Sequence, residues 1–130
     1  MSHSVLVVED NAPNLELLVD WLESEGFQVQ TATTLNEARA VLQSGSPDIV
    51  LLDVQLGPED GLSLIADIRK TAQVRPIPVI AVTAHAMVTD FERVVRAGCD
   101  ACVSKPINFR ALREQLDKWL AEHLDRNLVN

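Results

Sequence analysis

Ile49-Val50-Leu51-Leu52-Asp53 is four apolar residues, two of them β-branched, running straight into a carboxylate. Turn residues bound it: Gly45-Ser46-Pro47 before, Gly57-Pro58 and Asp60-Gly61 after. A short, continuous apolar run between turn signals fits a strand buried on both faces of a parallel sheet. Asp53 then stands at the carboxyl end of a central strand. In open α/β sheets that edge is where ligands and chemistry gather.

The chain continues this pattern on both sides. Val5-Leu6-Val7-Val8 is a second buried run, ending in Glu9-Asp10. Asn11 suits a helix cap, with Pro13 tolerated in the first turn. Leu15, Leu18, Val19 and Leu22 follow at helical spacing, and Gly26 closes that helix. Phe27 to Thr31 alternates as an edge strand does. Thr34 and Glu37 match a capping box, and Leu35, Ala38, Val41 and Leu42 form the next stripe. The third strand is predicted over Asp48 to Leu52. Leu62, Ile65 and Ile68 mark a third helix, and Ile77 to Val82 a fourth strand ending at Thr83. Val88, Phe91, Val94 and Val95 give a fourth helix closed by Gly98. Ala101 to Ser104 is a short fifth strand leading to Lys105-Pro106. Asn108 caps a last helix whose stripe is Phe109, Leu112, Leu116, Trp119 and Leu120. Residues 1–124 are expected to form one domain, with 125–130 a short patternless tail.

Five strands alternating with five helices predict an α/β fold with a doubly wound parallel sheet, helices on both faces. Right-handed crossovers leave few topologies. Strand order 2-1-3-4-5 places Glu9-Asp10 and Asp53 together at the switch point, with Thr83 and Lys105 on the same edge.

Composition narrows the function. The chain has 130 residues, 47% of them hydrophobic, enough for one compact domain. Its formal charge is −8, from 11 basic and 19 acidic side chains, so it repels phosphate backbones and direct nucleic-acid binding is not expected. No signal peptide or membrane-length apolar run is present, so a cytoplasmic location and no membrane association are expected. Cys99 and Cys102, three apart in extended chain, would lie roughly 10 Å apart. A disulfide needs about 4.4–6.8 Å. No second ligand pair accompanies them, and His3, His85 and His123 share no metal spacing. Trp21 and Trp119 read as packing residues.

The chemistry therefore concentrates on the strand ends. Crowded carboxylates repel one another and call for a cation. Mg²⁺, a hard ion that keeps waters and takes few protein ligands, fits an oxygen-only set. A carboxylate can act as a nucleophile and form an acyl phosphate. Lys105 suits a phosphoryl oxygen, and the Thr83 hydroxyl can donate to a new phosphate.

Glu9-Asp10-Asn11, Asp53, Asp60-Gly61, Thr83-Ala84, Ala97-Gly98-Cys99-Asp100 and Lys105-Pro106 together resemble the receiver domain of a two-component response regulator, a flavodoxin-like fold. The resemblance covers essentially the whole chain. Thr83 to Met87 and Ser104 to Ile107 look most like stand-alone receivers and those of hybrid histidine kinases. The resemblance implies Asp53 as phosphoacceptor. Glu9, Asp10, Asp53 and the backbone carbonyl of Gln55 would hold Mg²⁺. Lys105 would be the phosphate-contacting cation, Thr83 the switch hydroxyl, and Lys105–Pro106 a cis bond. It implies a regulator that handles its own phosphoryl group rather than an enzyme acting on separate substrates. Its donor would be a histidine kinase or histidine phosphotransfer protein, and its downstream target would dock on helix four, strand five and helix five. The chain ends soon after the fifth helix, so output through protein contact rather than an effector domain is expected.

Three departures or modulating positions stand out. Receivers usually carry an aromatic residue where this chain has Cys102, which unsettles the usual threonine–aromatic coupling. The loop after Asp53 reads Leu56-Gly57-Pro58, with proline one position later than is usual. Gln55 and His85, two residues beyond Asp53 and Thr83, are expected with Ala84 to tune switching and the lifetime of the phosphorylated state. The alternative is a phosphate-insensitive interaction module on the same fold. A flavin carrier fits poorly, because Glu9-Asp10-Asn11 would repel a flavin phosphate. A haloacid-dehalogenase-type hydrolase would place an aspartate where Gln55 stands.

Overall fold

The computed structural model describes residues 3–44, 47–56, 59–71, 77–84 and 88–129. Strand β1 (Ser4–Val8) leads to helix α1 (Ala12–Ser24), β2 (Gln28–Ala32), α2 (Leu35–Ser44) and β3 (Ile49–Asp53). Then follow α3 (Leu62–Thr71), β4 (Val79–Thr83), α4 (Val88–Ala97), β5 (Ala101–Ser104) and α5 (Phe109–Val129). The five strands form one parallel sheet in the order β2-β1-β3-β4-β5. A separate two-residue ribbon, Gln55–Leu56 against Glu59–Asp60, closes the turn after β3.

Alternation along each strand divides the core. Val50 and Leu52 of β3 pack with Leu35 and Ala38 of α2, Leu64, Ile65 and Ile68 of α3, and Val94 of α4. Ile49 and Leu51 face the other way, onto Leu18 and Leu22 of α1 and Leu112 and Leu116 of α5. All five β3 residues are buried, Asp53 included, as a strand covered on both faces requires.

The expected caps form. Asn11 Oδ1 accepts from the Asn14 N–H at 3.0 Å, and Asn108 Oδ1 from the Ala111 N–H at 3.1 Å. Thr34 Oγ1 accepts from the Glu37 N–H at 3.1 Å, but the Glu37 carboxylate returns to the N–H of Thr33 rather than Thr34. Gly26 and Gly98 end their helices at φ +92° and +106°, the left-handed region that glycine enters without strain.

Several boundaries shift. Strand β3 starts at Ile49, because the Asp48 carboxylate is taken by the Ser4 N–H at 2.7 Å, and it runs through Asp53. Strand β4 starts at Val79, since Pro78 has no N–H for the ladder; its carbonyl still accepts from Val50 at 3.0 Å. Val95, placed on the α4 stripe from its spacing, is 63% exposed: it lies one helical step beyond Val94, which is the one of the two valines that faces the core. Residues 125–129, expected as patternless tail, continue α5. Backbone hydrogen bonding propagates a helix at little cost once it is nucleated. Phe91, Met87 and His85 fall outside the residues whose side chains are described.

Candidate functional site

The carboxyl ends of β1 and β3 deliver the acidic residues. Glu9 follows the last residue of β1 and is 2% exposed; Asp53 ends β3 at 6%; Asp10, one residue on, lies in solvent. One carboxylate oxygen from each lies within 4.8 Å of the others. Strand order accounts for this: β1 and β3 are direct neighbours, with Val8 paired to Leu52.

Lys105, just beyond β5, reaches back across the edge. Its Nζ donates to Asp53 Oδ2 at 3.0 Å and to Glu9 Oε1 at 3.1 Å. The Gln55 N–H donates to the other Asp53 oxygen, Oδ1, at 3.0 Å. Thr83 ends β4 and is buried, 3% exposed, while Ala84 beside it is exposed. The Lys105–Pro106 peptide is cis, as the resemblance implied.

Three carboxylates and one ammonium leave this edge with a net charge of −2 when all are ionised. Burial, with the hydrogen bond and charge of Asp53, pushes the Glu9 carboxyl up to about 7 against the lowering pull of Lys105. Burial pulls the Lys105 ammonium down, but the hydrogen bonds and charges of Asp53 and Glu9 outweigh it, so its pKa is raised overall. The lysine is therefore a fixed cation in the neutral pH range. The oxygen-only donors, their spacing and the uncompensated charge suit a hard divalent ion.

Gly61 holds the loop against the site. Its N–H donates to Val54 O at 2.8 Å, and a Cβ there would stand 2.6 Å from Asp53 O. Gly61→Ala is expected to lower stability by about 1–3 kcal/mol, the usual cost of forcing a methyl into a packed site. Urea unfolding measures it, and a loss under about 0.5 kcal/mol would mean that the loop yields freely.

A cavity of about 480 Å³ opens beside Glu9 and Lys105, between α1 and the β5–α5 loop. Leu17, Leu18, Ile107 and Phe109 give it apolar walls, and Leu17 is 56% exposed. Leu17 falls off the α1 stripe, so periodicity gave no reason to single it out.

Of the remaining sequence expectations, Gln55 is exposed at the rim and Cys102 is half-buried on β5, packed against the α3–α4 side of the core. His85 lies outside the described residues. Cys99 and Cys102 are free thiols; burial pushes Cys99 up to about 12 and also raises Cys102, which leaves both poorly ionised. Two clusters carried no signal in sequence. Arg69 of α3 donates to Ile77 O at 2.7 Å, Gly98 O at 2.7 Å and Asp100 Oδ2 at 2.9 Å. Arg93 of α4 pairs with Asp60 at 2.5 Å. Their partners lie 8 to 33 residues away, beyond any local pattern.

A doubly wound sheet with carboxylates at its switch point and a lysine across them defines a receiver. Residues 5–117 match the response regulator receiver domain family, and the chain belongs to it, within two-component signalling. It is 37% identical over 122 residues to the polar-differentiation response regulator DivK of Brucella ovis, covering 94% of this chain and 99% of that protein. A CheY-like response regulator receiver domain protein from Methanospirillum hungatei superposes with a TM-score of 0.85 at 29% identity, over 97% of this chain and 99% of that one. The receiver domain of Francisella response regulator 1452 shares the fold at TM-score 0.85 and 21% identity, over 93% and 98% of the two chains. Among the described residues no helix is long and apolar enough to cross a membrane.

Proposed function

We propose that this receiver takes a phosphoryl group from a phosphohistidine donor onto Asp53 and signals by protein contact. The observation that carries the reading is the buried Asp53 carboxylate, held at both oxygens, with Lys105 on one and the Gln55 N–H on the other. Both contacts fix the carboxylate's orientation before a donor arrives, which is the positional contribution phosphoryl transfer demands.

In the step itself an Asp53 oxygen attacks phosphorus, the phosphorus–nitrogen bond to the donor imidazole breaks, and an acyl phosphate forms. Lys105 is already within hydrogen-bond reach of that carboxylate and would follow the new negative charge. Thr83, at the end of the adjacent strand, offers a hydroxyl to a phosphoryl oxygen. Glu9, Asp10, Asp53 and the Gln55 backbone carbonyl would hold Mg²⁺, which supplies charge screening for the incoming phosphoryl group. The cavity walled by Leu17, Ile107 and Phe109 gives a donor helix an apolar seat beside the acceptor. A histidine kinase or histidine phosphotransfer protein fits that role, in the cytoplasm, with no separate substrate turned over. Output would run through α4, β5 and α5, and Gln55 at the rim would set the lifetime of the acyl phosphate together with His85.

The test is intact-protein mass after incubation with Mg²⁺ and acetyl phosphate. One phosphoryl adduct, lost when EDTA is present, is the expected result. No adduct, with no Mg²⁺ binding by calorimetry, would replace this reading with the phosphate-insensitive module.

A further inference from the structure

Helix α4 is held at two places. At its carboxyl end, Gly98 packs where an added Cβ would meet Ile65 Cγ2 at 3.3 Å, and Arg69 clamps Gly98 O and Asp100 Oδ2. Asp100 also accepts from the Val79 N–H at 2.8 Å, so this end is tied to β4 and α3 at once. Its second hold is Arg93, one turn before that end, on the Asp60 carboxylate at 2.5 Å. Asp60 is no ordinary surface acid. Its other oxygen caps the Leu62 N–H at 3.0 Å, its carbonyl accepts from Ser63 Oγ at 3.0 Å, and it pairs with Gln55 in the ribbon after β3. Gln55 in turn donates its N–H to Asp53 Oδ1.

A line of neighbouring groups thus joins the acceptor carboxylate to α4: Asp53, the Gln55 N–H on its Oδ1, the facing of Gln55 and Asp60 in the ribbon that the Gly61 N–H to Val54 O bond closes, the Asp60 carboxylate, Arg93. We propose that this line couples the charge on Asp53 to the position of α4, in a chain whose β5 carries Cys102 in place of an aromatic side chain. It rests on the reading of Asp53 as phosphoacceptor for its biological use, though not for its mechanics. The Arg93–Asp60 pair is more than half exposed at both side chains, so it is weak and readily re-formed. A weak latch suits a switch, since only a small differential contact is needed to shift two nearly balanced states.

The test uses the ¹⁵N-labelled full chain and the amide shifts of Val94–Ala97. Neutralising Asp53 with Asp53→Asn, or capping it with beryllofluoride and Mg²⁺, is expected to move these amides. In Arg93→Ala the displacement should fall about two- to five-fold, the range a weak exposed pair commands, and Arg93→Lys should restore most of it. Thr83→Ala provides the comparison for a route through β4 and should leave the Asp53→Asn displacement largely intact. Equal displacement in Arg93→Ala and the parent, or none in either, overturns the coupling. Acetyl phosphate mass shifts are read on the same samples. An α4 response to Asp53→Asn, with no adduct on the parent chain, would sink the phosphoacceptor reading while leaving the coupling standing.

Discussion

Asp53→Asn is expected to abolish the phosphoryl adduct, with a loss of more than about 100-fold in the rate of acyl phosphate formation. The substitution is nearly isosteric. Its amide oxygen can still accept the Gln55 N–H that now binds Oδ1, and Lys105 keeps Glu9 Oε1 as a partner. The sheet registers on either side, Leu52 with Val8 and Asp53 with Val82, involve only backbone. The fold should therefore survive, and what disappears is the nucleophile: a carboxamide oxygen carries no full negative charge to donate to phosphorus. Intact mass with acetyl phosphate measures the loss, and a cooperative unfolding curve for the variant separates lost chemistry from lost structure. An adduct of undiminished yield would move the acceptor to another side chain. Peptide mapping would then begin at Asp10, the exposed member of the same cluster.

Much of this site could be read without coordinates, for a physical reason. Strands buried on both faces are written as unbroken apolar runs, and the first polar residue after such a run marks the sheet edge. Glu9, Asp53 and Thr83 each stand at or just past the end of such a run, and Lys105 follows one residue after the fifth strand. Topology then does the rest, because β1, β3, β4 and β5 are consecutive neighbours in the sheet. What resisted reading were contacts fixed by three-dimensional packing alone. Arg69 looks like any amphipathic-helix cation until α3 is laid beside Gly98 and Asp100. Arg93 looks solvated until α4 is laid beside Asp60. Val95 misled because two adjacent valines both satisfy a loose helical stripe, and only one of them can face the core. Helix α5 outran its stripe because the period of packed residues reports burial, not the extent of backbone hydrogen bonding.

Binding of Mg²⁺ should weaken by about 50-fold between pH 7 and pH 5, and change little above pH 8. The cause is Glu9. Burial and the neighbouring Asp53 raise its carboxyl from 4.5 to about 7, so the metal-free fold holds a proton there that a metal must displace. Below the raised value, each pH unit costs a factor of about ten in apparent affinity, since the cation competes with one bound proton. The sign for stability is opposite. A folded state that binds a proton more tightly than the unfolded chain gains from acid: this contribution is fully present below pH 4.5 and is lost as pH rises through about 7. Added Mg²⁺ should reverse that trend, stabilising the fold most at pH 8, where Glu9 is ionised. Lys105 does not blur the transition, because its own raised value keeps it charged throughout this range. Calorimetric titration of Mg²⁺ at pH 5, 6, 7 and 8 reads the affinity directly, and thermal unfolding with and without the ion reads the linkage. Glu9→Gln supplies the decisive comparison. It removes the titrating proton but keeps an oxygen donor, so its affinity should be weak yet nearly flat across the same range. A wild-type profile as flat as that of Glu9→Gln would show that the carboxylates ionise independently of one another. The crowding of Glu9 against Asp53 could then no longer be offered as the reason for a cation to bind at this edge.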